Sequence, residues 1–67
     1  MQAGVRNRLS GTITEVTTGE VMSQVTARMG DHEITSVMTR ESLEEAGFRQ
    51  GDSVTALIKA INVVFVK

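Results

Sequence analysis

The stretch TRESLEEAGF (residues 39–48) differs in period from the sequence on either side of it. Its charged residues and their spacing predict a short helix, with Thr39 at the N-cap position. Gly47 suits the left-handed position that ends a helix, and Phe48 would then pack back on Leu43. We therefore expect one helical segment of about two turns, and no other.

Three β-strands are predicted before this helix. Their sequences are RLSGTITEV (8–16), EVMSQVTARM (20–29) and HEITSVMT (32–39), rich in Val, Ile and Thr and alternating in polarity. Short turns separate them, the first around Gly19, so the strands are expected to form an antiparallel meander. Gly11 lies inside the first strand and predicts a bulge or a close approach between two backbones.

Two further strands are predicted after the helix, SVTALIKA (53–60) and NVVFVK (62–67). This order favours an all-β fold, a small five-stranded Greek-key barrel of OB type with one short helix between strands 3 and 4. An SH3-like barrel is the alternative. The last strand is apolar almost throughout, which is a liability at the edge of a monomer and an advantage in an oligomer.

The composition indicates a single small domain, residues 1–67, that assembles with further copies of itself. A chain this short buries only about 60% of the surface that its unfolded form exposes, so its own core is thin. Small folds compensate with disulfides, a structural metal or oligomerisation. The sequence has no Cys, so it forms no disulfide, and its single histidine, His32, cannot form a His-rich metal site. Oligomerisation is the remaining means of compensation.

Charge and aromatic content argue against a nucleic-acid partner. Seven Lys and Arg residues against eight Asp and Glu give a net charge of −1, whereas nucleic-acid binders usually carry a basic excess. Phe48 and Phe65 are the only aromatic residues, so bases have no stacking platform. No apolar run approaches the ~20 residues of a membrane span and no leader segment is recognised, so we expect a cytoplasmic protein without a membrane partner.

Catalytic chemistry finds little support in the sequence. His32 lies between Asp31 and Glu33 in a predicted turn, where an exposed histidine is the ordinary interpretation. Ser42 is on the predicted helix, with no histidine in a pattern that would activate it. The chain has no glycine-rich phosphate loop and no metal-ligand spacing. We predict a protein that is not an enzyme and has neither a cofactor nor a metal.

The residues that suit a ligand are hydrogen-bond donors near the two ends of the chain. A tetrahedral oxyanion presents only acceptors, so its site needs cationic, amide or hydroxyl side chains, or backbone N–H groups. Arg6 and Asn7 precede the first predicted strand, and Lys59 interrupts an apolar run near the other end. An ammonium there extends to water, pairs with Glu15 or Glu20, or meets an anion, and the residues alone leave these alternatives open.

Three short motifs follow one another along the chain: VRNRLSGTI (5–13), SLEEAGFRQGD (42–52) and ALIKA (56–60). Together they resemble the molybdate-binding small domain called Mop or TOBE, in which the first motif has the form ARN-x-L-x-G-x-V. Proteins consisting of this domain alone are known as molbindins. The resemblance extends from Gly4 to Val66, and it is specific because all three motifs are in register.

The resemblance implies an OB-fold domain that assembles as a homo-hexamer, a trimer of dimers with exchanged strands, and holds molybdate or tungstate between subunits. One class of site in the family combines the ARN segment with the Lys of KA and the residue after it. Carried over to this chain, its residues are Gly4, Val5, Arg6, Lys59, Ala60 and Ile61, with Asn7 as a supporting hydrogen-bond donor. A second class, near the symmetry axis, would lie around Gly19, Glu20 and Val21 or around Thr35 and Ser36.

Two positions of the first site depart from the family pattern. The family usually has Ser before the ARN segment and Ser or Thr after KA, where this chain has Gly4 and Ile61. A neutral hydrogen bond contributes roughly 0.5–1.5 kcal/mol net, so two lost hydroxyl donors weaken binding about tenfold to a hundredfold unless something replaces them. Because backbone N–H groups remain, we predict that binding persists.

The predicted function is non-enzymatic binding of molybdate or tungstate, for intracellular storage or homeostasis, at the subunit interfaces of a homo-oligomer. The alternative is an oligomeric structural or regulatory module whose anion site has been lost through Gly4 and Ile61. A nucleic-acid-binding OB domain is a third possibility, disfavoured by the charge balance and by the scarcity of aromatic residues.

Overall fold

The computed structural model describes residues 5–67, which form four antiparallel strands and one short helix. In chain order the elements are β1 (Val5–Thr18), β2 (Met22–Met29), β3 (His32–Thr39), α1 (Arg40–Ala46) and β4 (Ser53–Lys59), followed by a 3-10 turn at Ala60–Asn62. The predicted order of strands and helix is therefore confirmed as far as β4. No helix among the described residues is long and apolar enough to cross a membrane.

β1 lies in the middle of the sheet, whose strand order is β3-β2-β1-β4. Residues 12–18 of this 14-residue strand pair with β2, and residues 5–12 pair with β4. The register of β1 against β2 shifts between Ile13 and Glu15, which marks a β-bulge at Thr14. As a result, the N-terminal end of β1 lies beside the C-terminal end of β4, away from β2.

Gly11 is required where β1 passes close to the end of β2. A Cβ atom at this position would overlap the carbonyl oxygen of Arg28 and the sulfur of Met29. No side chain fits into that space without a shift of the Arg28 backbone. The close backbone approach predicted from this glycine is therefore confirmed.

The core lies on one face of the sheet, and Leu43 of α1 packs into it. Its buried apolar residues are Ile13, Val25, Ala27, Met29 and Leu43. Partly buried apolar residues of β1, β3 and β4, together with Phe48, pack around them. A core of five buried apolar side chains agrees with the thin core expected for a chain of this length.

The two ends of α1 are those that the sequence predicts. Thr39 Oγ1 accepts a hydrogen bond from the Ser42 N–H at 3.0 Å, which caps the first turn. Gly47 has φ 70°, in the left-handed region, and donates its N–H to the Leu43 carbonyl oxygen at 2.9 Å. Phe48 packs against the core cluster that contains Leu43.

The prediction of a fifth strand at residues 62–67 is wrong for a single chain. The last five residues have no strand or helix assignment, and Val64, Phe65 and Val66 are 82%, 94% and 92% exposed. A strand forms only against another edge, and the 3-10 turn after Lys59 takes the backbone off the β4 ladder. Within residues 5–67, the sheet has four strands and is not closed into the predicted five-stranded barrel.

The core face of the sheet is left partly uncovered. A cavity of about 340 Å³ opens on this face. It is lined by apolar side chains of all four strands, among them Val25, Ile34, Val54 and Ile58. The exposed apolar segment after Asn62, which we call the tail (residues 63–67), and this open face together leave much apolar surface in contact with water.

Candidate functional site

The N-terminal end of β1 and the C-terminal end of β4 meet at one corner of the sheet. Val5 pairs with Lys59 and Asn7 pairs with Ile58, although each pair is more than 50 positions apart in sequence. The register shifts between these two pairs, so Arg6 is an extra residue on β1. Because two residues of one strand oppose one of the other at a β-bulge, Arg6 lies between the Val5–Lys59 and Asn7–Ile58 pairs, beside Lys59. The structure thus brings together site residues predicted at both ends of the chain.

Asn7 holds this bulge through its side chain. Its Nδ2 donates a hydrogen bond to the Ile58 carbonyl oxygen at 3.3 Å, and both residues are half-buried. Arg6 and Lys59, in contrast, are both exposed. The supporting role that the resemblance implies for Asn7 stays a prediction.

The backbone leaves the sheet directly after Lys59. Ala60 and Ile61 belong to the 3-10 turn, in which the Val63 N–H donates to the Ala60 carbonyl oxygen at 3.2 Å. Among the described residues, the β1–β4 ladder ends at Lys59, so the peptide N–H groups that follow are not used by it. Ile61 is 86% exposed, and Gly4 lies outside the described residues.

Lys59 makes no ion pair with a carboxylate of its own chain in the described range. The ion pair found there joins Arg40 to Glu44 at 3.0 Å on the exposed face of α1. Glu15 lies in the half of β1 that pairs with β2, and Glu20 follows that half, at the opposite end of the strand from Lys59. Within one chain, the pairing of Lys59 with Glu15 or Glu20 is therefore wrong. Water and an anion are the remaining alternatives for the Lys59 ammonium.

The first group suggested for a second site forms the turn between β1 and β2. The Gly19 N–H donates to the Met22 carbonyl oxygen at 2.9 Å, and the Val21 carbonyl oxygen accepts from the Arg40 N–H at 2.7 Å. Glu20 is exposed between them. Two of the backbone groups in this turn are thus already engaged within the chain.

The other group suggested for a second site, Thr35 and Ser36, lies in the middle of the edge strand β3. The Thr35 and Thr26 hydroxyl oxygens are 3.2 Å apart and share a hydrogen bond. Both Thr35 and Ser36 are exposed. Met22, next to the turn, pairs with Thr39, the last residue of β3, and Thr35 lies four residues before Thr39, so the two suggested groups do not meet within one chain.

The acidic turn between β2 and β3 shows no sign of a metal centre. His32 is exposed between Asp31 and Glu33. Across residues 5–67, no three His, Asp or Glu side chains are placed to hold a metal ion together.

One cation at this corner, Arg8, is not among the site residues predicted from the sequence. It is exposed on β1 and pairs with Leu57, two residues from Lys59 on β4. The available signal was the two-residue period, which places Arg8 on the same face as Arg6.

The fold and this corner define a small all-β domain with basic side chains gathered at the end of one strand pair. Comparison with family models supplies the particular family. The TOBE domain model matches residues 4–65, and the chain belongs to the TOBE domain family.

Relatives with similar sequence or structure span the whole chain. It is 31% identical over 67 residues to molybdenum-pterin-binding protein 1 of Clostridium pasteurianum, covering 98% of each protein. It matches the structure of a molybdate-binding protein from Sporomusa ovata with a TM-score of 0.90 at 31% identity, covering all of both chains. It also matches the cytoplasmic molybdate-binding protein ModG, with molybdate bound, with a TM-score of 0.84 at 40% identity over 96% of this chain and 46% of ModG.

Proposed function

We propose that this protein is a single domain, residues 1–67, that binds molybdate or tungstate unchanged and stores it in the cytoplasm. The observation that carries the proposal is the register of β1 against β4, which places Val5, Arg6 and Asn7 beside Lys59. Relatives of the same length and fold are a molybdenum-pterin-binding protein and a molybdate-binding protein. The proposed compartment follows ModG, a cytoplasmic molybdate-binding protein.

Charge and hydrogen-bond donors would hold the dianion at this corner. Lys59 and Arg6 are both exposed at this corner, and hydrogen bonds with a charged donor or acceptor are about twice as strong as neutral ones. Backbone N–H groups of Val5, Ala60 and Ile61 are the proposed neutral donors. Because the anion is bound and released without a change in its bonds, no nucleophile or acid–base pair is required.

The missing hydroxyls lower the proposed affinity without abolishing it. Gly4 and Ile61 contribute no side-chain donor, and each neutral hydrogen bond is worth roughly 0.5–1.5 kcal/mol. We expect binding about tenfold to a hundredfold weaker than in relatives that have both hydroxyls, unless another donor of this chain replaces them.

Self-association is the second part of the proposal: a homo-hexamer, built as a trimer of dimers with exchanged strands and with oxyanion sites at the subunit interfaces. Val64, Phe65 and Val66 of the tail are highly exposed, and the cavity of about 340 Å³ leaves the core face open. The tail of one copy, paired with the sheet of another, would bury both surfaces and supply the fifth strand of the OB-type barrel. The tail begins two residues after Ile61, so this exchange would bring a neighbouring subunit close to Lys59.

A second class of oxyanion site near a symmetry axis is also proposed, from the two groups described above. Thr35 and Ser36 offer exposed hydroxyl donors on an unpaired sheet edge. The turn of Gly19, Glu20 and Val21 offers fewer donors, and the Glu20 carboxylate repels an anion. The hydroxyl groups of β3 are therefore the better of the two candidates, and since adjacent strand residues face opposite sides of the sheet, each would serve as a donor on its own face.

An oligomeric structural or regulatory module is the second candidate function. It is favoured by Ile61, an apolar side chain that is 86% exposed directly beside the proposed site. In that case the tail still drives assembly, and Lys59 extends into water.

Titration calorimetry of the purified protein with molybdate tests the proposed site. Lys59→Gln removes the central positive charge, so we expect the dissociation constant to rise at least about tenfold. Arg49→Gln removes an equal charge from the exposed turn before β4 and should leave affinity within about twofold of wild type.

Two outcomes would contradict this assignment. Unchanged affinity in Lys59→Gln would mean that molybdate binds elsewhere on the protein. An assembled wild-type protein that takes up no molybdate would favour the structural module.

A further inference from the structure

Arg8 lies on the same face of the sheet as Lys59, one diagonal step across the β1–β4 ladder. Arg8 pairs with Leu57, and Lys59 is two residues further along β4 on the exposed side. Diagonal neighbours in an antiparallel pair are about 7–8 Å apart, within reach of two long side chains. Arg6, at the bulge beside Lys59, is exposed as well.

No carboxylate neutralises this cationic face within the described chain. Arg8 makes no ion pair among residues 5–67, and its neighbours along the exposed face are the uncharged Ser10, Thr55 and Leu57. The nearest acidic residue along β4 is Asp52, which precedes the first residue of the strand, whereas Lys59 is the last. The two ends of β4 are six residue-to-residue steps apart, a distance of about 20 Å in an extended strand.

The position of Arg8 is not part of the motif that carries the resemblance to the family. In ARN-x-L-x-G-x-V it is the unspecified residue between the ARN segment and the Leu, here Leu9. A role of Arg8 in binding is therefore not implied by the motif. A guanidinium also suits a tetrahedral oxyanion, since its planar fork donates two parallel N–H···O bonds to two oxygens.

We propose that Arg8 is an additional binding residue of the Lys59 oxyanion site, which partly replaces the donors that Gly4 and Ile61 do not provide. This inference rests on the proposed function. With Lys59 and Arg6, Arg8 provides a third positive charge toward the dianion, and its guanidinium adds two directed N–H donors. The site of this chain thereby depends more on charge, and less on hydroxyl groups, than the family pattern implies. Its affinity is accordingly more sensitive to ionic strength.

Calorimetric titration of the intact protein with sodium molybdate, at low and at high sodium chloride, tests this role. We expect Arg8→Gln to raise the dissociation constant about three- to tenfold at low salt, and the difference from wild type to narrow at high salt. Arg8→Lys keeps the positive charge but loses the planar guanidinium, so its dissociation constant should lie between those of wild type and Arg8→Gln. Arg49→Gln, the matched loss of one arginine far from the corner, should bind as wild type does.

Native mass and thermal unfolding of each variant without molybdate separate binding from assembly. The proposal predicts that Arg8→Gln keeps the oligomeric mass and the unfolding temperature of wild type. It is overturned if Arg8→Gln binds molybdate as tightly as wild type, if Arg49→Gln weakens binding equally, or if Arg8→Gln changes the oligomeric mass.

The same titrations distinguish this inference from the proposed function. A wild-type protein that binds molybdate together with an unaffected Arg8→Gln variant overturns only the role of Arg8. A wild-type protein that binds no molybdate overturns both.

Discussion

At the scale of single residues, the corner around Lys59 shows how a chain with a net charge of −1 can present a basic surface. Arg6, Arg8 and Lys59 are brought together by the pairing of β1 with β4. Three glutamates instead lie on α1, which is packed against β2 and β3. The local arrangement of charge, more than the net charge, sets the potential that an approaching anion meets.

Ser23 is a polar residue within the buried face of β2, and it provides a test of the core. Its side chain is 4% exposed, and its Oγ has no hydrogen-bond partner among the described residues. A buried hydroxyl without a partner costs about 1–3 kcal/mol. We expect Ser23→Ala to raise the free energy of unfolding by about 1 kcal/mol, since removal of the penalty outweighs the small void that is left. Chemical denaturation measures this change.

Ser10→Ala is the matched control for that prediction. Ser10 is exposed on β1, so losing its hydroxyl should change the free energy of unfolding by less than about 0.5 kcal/mol. A Ser23→Ala protein less stable than wild type would contradict the prediction and would indicate that Ser23 Oγ finds a partner in the assembled protein.

At the scale of elements, α1 depends on its cap and on Leu43. A helix of seven residues is too short to be stable on its own, so its ends and its packing must hold it. Thr39→Ala removes the acceptor of the Ser42 N–H and should lower the free energy of unfolding by about 1 kcal/mol. Glu44→Gln breaks the exposed pair with Arg40 and should cost less than about 0.5 kcal/mol. Equal losses in the two variants, measured by denaturation, would refute the capping role.

The elements that the sequence predicts well are those defined by local chemistry. The cap at Thr39, the left-handed Gly47 and the alternation of β2 and β3 can each be recognised within a few residues, and the structure has all of them. The strand predicted at residues 62–67 has the same apolar character but no edge to pair with in its own chain. Strand propensity alone does not supply that partner.

The candidate site was accessible to sequence reasoning only in part. Arg6, Asn7 and Lys59 stand out as donors, and the family resemblance implies that they act together. The bulge that brings Arg6 beside Lys59 depends on pairing between residues more than 50 positions apart, which no local pattern encodes. Arg8 stands outside the predicted site because the motif leaves its position unspecified, and the same pairing brings it diagonal to Lys59.

At the scale of the whole molecule, a single chain leaves much apolar surface uncovered. Among residues 5–67, five apolar side chains are buried, while the tail and part of the core face remain in contact with water. Both surfaces would be buried by the exchange of tails between copies, and assembly would multiply the basic corners at the interfaces. In the proposed account, assembly and anion binding are therefore properties of the same oligomer.

We propose that this oligomer binds molybdate and discriminates against sulfate, a smaller anion of equal charge. Native mass spectrometry of the purified protein, with molybdate and with sulfate as the control, measures assembly and binding together. We expect a hexamer that gains discrete molybdate adducts and none from sulfate. A hexamer without molybdate adducts would contradict the binding function, and a monomer would contradict the assembly as well.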